Sequence, residues 1–146
     1  MKVKNLDKLT PTRRVAFTLT DIVAEQGDGK SVVLLLEHAG DRNAGWRNAV
    51  DRLAVRGAST GSVDGEDWIR ERIPAFARYV VKDWQHAFDE TGKAEPYTAE
   101  RGEKLLTELV DNGGMDLVGA VMRFSFNPQN FRDLLDEGAA ERVGNG

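Results

Sequence analysis

The chain contains no cysteine, which excludes a disulfide scaffold, a thiolate metal site and thiol catalysis. Only two histidines occur, His38 and His86. They lie far apart, and neither stands at a metal-ligand spacing with another strong ligand, so both read as surface or half-buried polar residues and no metal or cofactor is expected. No apolar run reaches the length of a membrane span, and the N-terminus lacks the apolar stretch of a signal peptide. The expectation is therefore a protein of the cytoplasm with no membrane contact. A basic excess is missing too: 20 Lys and Arg stand against 24 Asp and Glu, a net charge of -4. That balance argues against a nucleic-acid surface, which clusters cations against phosphates. Serines are few, and none sits in a nucleophile-elbow context.

What is present is one domain's worth of chain. Its 146 residues are 40% apolar and 30% charged, ordinary for a globular protein and enough for a single core. Lys2, Lys4, Lys8, Arg13 and Arg14, set off by Pro11, suggest a flexible basic arm over residues 1–13. Gly144-Asn145-Gly146 closes a tail, residues 138–146, expected to be disordered. Between them, residues 14–137 read as one α+β domain, predominantly helical, with an N-terminal β-hairpin followed by four to six helices.

The hairpin is expected over residues 14–38. Val15 to Ile22 begins by alternating apolar and polar residues, Ser31 to Leu36 is a β-branched and leucine run, and Gln26-Gly27-Asp28-Gly29-Lys30 supplies the turn between them. Its edge is free to pair with another copy and so support a homo-oligomer. The apolar period then changes. Trp46, Ala49, Val50, Leu53 and Ala54 form a helical stripe that Asp41 or Asn43 can cap and Gly57 can close. Residues 58–63 form a loop of small residues, and Asp64 can cap the next helix, with Glu66 and Asp67 in its first turn. Ile69, Ile73, Phe76, Val80 and Trp84 continue a helical stripe through Pro74, which predicts a kink or two abutting helices. Thr98 can cap a helix carrying Leu105, Leu106, Leu109 and Val110, ended by Asn112-Gly113-Gly114. Met115 to Phe126 is apolar on more than one face and so belongs to the centre of the core or to an interface. Asn127-Pro128 starts a last short helix bearing Phe131, Leu134 and Leu135.

Chemistry-bearing motifs are weak. Ala24 to Ser31 fits a loosened phosphate-loop pattern, but a true phosphate loop leads into a helix whose amides face the phosphates. Here the β-prone run Val32 to Leu36 follows, so the segment reads as a hairpin turn. The carboxylates at Asp64/Glu66/Asp67, Asp89/Glu90 and Asp133/Asp136/Glu137 are explained as caps, dipole partners and solvated charges. No catalytic residue is assigned, and the chain is read as non-enzymatic. The aromatics concentrate in the second half, where most should fill the core. Phe88 and Phe126, at expected helix ends next to turns, together with Phe124 and Phe131, are the candidates to hold an apolar partner.

The segment from Val80 to Glu100 carries paired valines, Trp84, the turn Asp89-Glu90-Thr91-Gly92-Lys93 and the helix start Pro96-Tyr97-Thr98, followed by Leu105-Leu106. In that order these features resemble tail assembly chaperones of long-tailed bacteriophages. Glu37 to Trp46 is similar to the loop leading into that family's first helix, and Leu117 to Phe131 to its closing helix. Together these segments fall within residues 15–131, whereas residues 58–72 carry no family feature. The resemblance implies a protein that binds the long, helical tape measure protein in the host cytoplasm and promotes polymerisation of tail-tube subunits around it. The competing expectation is a structural virion protein, such as a tail-completion or head-tail connector subunit.

Overall fold

The computed structural model describes residues 1, 2, 4, 13–57 and 65–132. The remainder of the basic arm, residues 58–64 with the expected cap Asp64, Leu134, Leu135, the carboxylates Asp133, Asp136 and Glu137, and the tail lie outside the described residues.

The fold is α+β. Strands β1 (Val15–Val23) and β2 (Ser31–Leu36) form the expected hairpin and are followed by α1 (Ala44–Val55) and α2 (Glu66–Tyr79). A third strand, β3 (Val81–Gln85), comes next, then α3 (Ala99–Asp111), α4 (Met115–Phe126) and a 3-10 turn at Pro128–Phe131. The sheet is antiparallel with order β1-β2-β3.

Local chemistry explains most boundaries. Of the two candidate caps, Asn43 closes the start of α1, its side chain accepting the Trp46 N–H at 3.2 Å, while its amide donates to the Tyr79 carbonyl at 2.7 Å and so ties α1 to the end of α2. Gly57, at φ 77, ends that helix. Gly65 is the N-cap of α2, without a side-chain bond, and Glu66 and Asp67 occupy its first turn, where carboxylates favour the helix dipole. Thr98 caps α3 through the Arg101 N–H, and Gly113 at φ 89 supplies the left-handed residue that releases it.

One expectation is corrected. The stripe from Ile69 to Trp84 is not one helical region: α2 runs unbroken through Pro74 and stops at Tyr79, and Val81–Gln85 is a strand. The spacing misleads because the β2–β3 register shifts by one residue between Leu35 and Leu36, pairing Leu36 with Val81 and Leu34 with Trp84. That irregularity places Val81 and Trp84, three residues apart, on the same buried face, the spacing a helix would give. The last element among the described residues is the expected short helix after Asn127, of 3-10 type over Pro128–Phe131.

The helices pack on one face of the sheet. Leu19, Leu34 and Leu36 from the strands meet Ile69, Ile73, Phe76, Val80, Leu106, Val118, Val121 and Met122, all buried. α4 is fully buried at Val118, Val121 and Met122, and Ser125 stays satisfied in the interior by donating to the Val121 carbonyl at 3.0 Å.

Candidate functional site

The helical layer and the sheet leave a groove of about 660 Å3 between the distal end of the hairpin and α3, within the usual range of about 300–1,000 Å3 for ligand sites. Ile22, Val23 and Ala24 form one wall, and Arg101, Lys104, Leu105 and Glu108 of α3 form the other. Val32, Trp84, Ala87 and Phe88 line the apolar part, while Asp89, Glu90, Thr91 and Glu95 sit along the segment after β3.

Each wall is held in place. Trp84 donates its indole N–H to the Glu95 carbonyl at 2.6 Å and meets the Tyr97 ring edge to face at 5.1 Å. Residues 87–95 form a small antiparallel loop: Glu95 N–H bonds the Ala87 carbonyl at 2.9 Å and Asp89 N–H bonds the Lys93 carbonyl at 2.8 Å. Asp89 closes that loop by accepting from the Thr91 hydroxyl at 2.6 Å and from the backbone N–H of Thr91 and Lys93. The Thr91 hydroxyl and then the Lys93 N–H hold its carboxyl below the ordinary value.

The hairpin tip is clamped to the same loop. The His86 ring lies 2.7 Å from the Asp28 carboxylate, and Phe88 packs so closely over Gly27, at φ 145, that a β-carbon there would fall 2.3 Å from its ring. On the opposite wall, Arg101 pairs with Glu95 at 3.4 Å and donates to the Pro96 carbonyl at 2.7 Å.

Tyr97 secures the base of α3 by donating its hydroxyl to the Ala77 carbonyl in α2. Burial pushes the phenol's pKa up, with Glu100 acting in the same direction. Gly102 is required beneath it, because a β-carbon would meet the phenol oxygen at 2.3 Å.

Of the four aromatic residues expected to face a partner, only Phe88 lines this groove. Phe131 is 1% exposed. It meets Phe124 edge to face at 5.8 Å and the tilted His38 ring at 5.5 Å. Phe124 also meets Phe17, and half-buried Phe126 lies between Trp46 and Trp68. These three belong to an aromatic cluster at the sheet-helix junction and are not brought together with Phe88. His38 is built into that cluster, its Nε2 lying 3.2 Å from the Phe126 carbonyl.

Sequence reading did not single out Val23, 44% exposed, or the α3 wall. The available signals were Ile22-Val23, an adjacent apolar pair that breaks the strand's alternation, and Leu105, which sits off the main stripe of its helix. Among the described residues, no group of three or more His, Cys, Asp or Glu could hold a metal ion, and no helix is long and apolar enough to cross a membrane.

The fold and groove define a small α+β domain with an open, amphipathic cleft walled by a helix and a hairpin tip. Residues 44–145, more than half of the chain, match the family model described as YdaY prophage protein, and the chain belongs to that phage-derived family. The match begins at the first residue of α1 and takes in β3, α3 and the 87–95 loop, whereas β1 and β2 precede it. No curated protein and no solved structure gives a significant match.

Proposed function

We propose that this protein is a non-enzymatic phage tail assembly chaperone that binds the tape measure protein in the host cytoplasm and promotes tail-tube polymerisation. The observation that carries the reading is the ridge Arg101, Lys104, Leu105 and Glu108 along an open groove. These four stand at i, i+3, i+4 and i+7, so a client helix can lie beside α3 with its own apolar stripe against Val23, Leu105 and Phe88. Membership of a prophage family and the ordered likeness of residues 37–46, 80–100 and 117–131 to tail assembly chaperones support the same client.

Co-expression with the tape measure protein of the same prophage tests it. The native chain is expected to keep that protein in the soluble fraction and to co-purify with it. Val23→Asp, placed on an exposed groove position, is expected to lose at least tenfold in affinity while its melting temperature stays within about 2 °C, because surface substitutions cost little stability. Co-purification unaffected by Val23→Asp would remove the groove from the mechanism. Mass spectrometry of purified particles separates the two phage roles: abundance in lysate with near absence from particles fits a chaperone, whereas a fixed copy number per particle makes the chain a structural subunit.

A further inference from the structure

We propose that β1 pairs through its free edge with β1 of a second copy, antiparallel about a two-fold axis, joining two three-stranded sheets into one continuous sheet. The inference stands apart from the chaperone reading, since it concerns Val15–Thr20 of β1 and not the Ile22–Ala24 wall of the groove.

The two sheet edges are treated differently. β3 is short and blunted: Asp83 folds back to accept its neighbour's N–H, Trp84 N, at 2.8 Å, and His86, at φ 62, turns the chain away. Such devices keep an edge from recruiting other strands. β1 lies at the opposite edge, and among the described residues no strand pairs with its outer side. From Val15 to Thr20 it carries no charge, proline or glycine, and Ala16, Thr18 and Thr20 are exposed. An uncharged, β-prone edge of that length invites strand addition.

Charge selects the partner and its direction. Arg13 and Arg14 precede the regular stretch, Arg14 also pairing with Glu37 of its own chain at 3.4 Å, while Asp21 and Glu25 follow it. Antiparallel pairing of two copies brings the basic end of each strand to the acidic end of the other, whereas parallel pairing would align like charges. The β1–β2 register holds through Thr18 and shifts before Val23, with Asp21 at φ 69 inside that irregular stretch, so the pairing segment ends by Thr20.

The symmetry narrows the register. A two-fold perpendicular to the sheet preserves its faces, so outward residues oppose outward residues and both helical layers lie on one side. The axis then falls at Phe17 or Thr18, and in either case Thr18 faces Thr18 or Ala16 of the partner.

Sedimentation equilibrium on the full chain tests the pairing, with an expected mass twice the 16.1 kDa of one chain. Thr18→Lys and Thr18→Glu, made separately at this exposed position, are each expected to weaken dimerisation at least tenfold through like-charge opposition across the axis. Mixed in equal amounts, the two variants are expected to recover a dimer, and unchanged circular dichroism shows that neither is unfolded. A monomeric wild-type chain, dimers indifferent to both substitutions, or a mixture that stays monomeric would each overturn the pairing. None of these outcomes bears on the binding of a single client helix by one groove.

Discussion

Tyr97→Phe isolates one hydrogen bond that ties the segment leading into α3 to α2. At the end of α2, the Val80 N–H takes the Phe76 carbonyl at 3.0 Å. Val81 has already left the helix for the strand, so the Ala77 carbonyl receives the Tyr97 hydroxyl where a helical N–H would otherwise bond. Ala77 is 0% exposed, and removing the hydroxyl leaves a buried acceptor unpaired, a loss of about 1–3 kcal/mol. For a chain of this length that corresponds to a fall of roughly 3–10 °C in Tm. The ring stays, and with it the edge-to-face contact with Trp84, so the change reports the bond and not the packing. Alkaline pH supplies an independent check. Burial raises the phenol's folded pKa, so its stabilisation is complete below the unfolded value of about 10 and is lost as pH rises through the folded value. Thermal melts of both proteins between pH 7 and the alkaline limit should therefore show a gap in Tm that narrows above about pH 10. An absent gap at neutral pH, or a gap of constant size across the range, would refute the reasoning.

Two further perturbations act nearby. Gly102→Ala forces a β-carbon to within 2.3 Å of the Tyr97 oxygen and should cost about 1–3 kcal/mol by overpacking; denaturant melts should find that cost reduced but not abolished in a Tyr97→Phe background, because the ring carbons at 2.7 and 2.8 Å remain. Asp89, whose carboxyl is held below its ordinary value chiefly by the Thr91 hydroxyl, closes its loop more strongly when ionised, because the charged oxygen is the better acceptor. That contribution is present above the usual carboxylate value of about 4 and lost as pH falls through the depressed folded value. Amide protection at Thr91 and Lys93 should therefore decline in acid, and Asp89→Asn should abolish that pH dependence; identical protection profiles in the two proteins would sink the assignment.

Most of the fold was legible where one local signal acted alone. The hairpin, the Asn43 and Thr98 caps, the glycine at φ 89 after α3 and the apolar character of α4 each follow from residue chemistry at their own positions. β3 was not legible, because its bulge gives Val81 and Trp84 a helical spacing, and only the unpaired side of β2 reveals that a strand is needed there. The candidate partner residues fared unevenly for a related reason. Aromatic identity signals large buried area but not which surface buries it. Phe124 and Phe131 meet each other, and Phe126 joins the two tryptophans nearby, whereas Phe88 crosses to the hairpin tip. The groove itself brings together residues from Ile22 to Glu108, and no short window of sequence contains both walls.

The same bulge logic gives β1 two separate tasks. The strand keeps one register with β2 through Thr18 and is uncharged to Thr20, and among the described residues no strand pairs with its outer edge; at Asp21 the backbone enters the left-handed region, and beyond it Ile22, Val23 and Ala24 turn to the groove. A partner strand added along Val15–Thr20 therefore leaves the groove wall open. In the paired sheet proposed above, each copy keeps its own groove, and the two-fold presents two of them at once. A client with repeated apolar helical stripes would then be held at two points, so that modest affinity at each groove becomes effective retention through a raised local concentration. The consequence is measurable: Thr18→Lys should leave binding of a single client helix unchanged while weakening retention of the full-length tape measure protein by an order of magnitude or more. Equal losses for the short and long clients would show that pairing and capture share one surface, contrary to the division at Asp21.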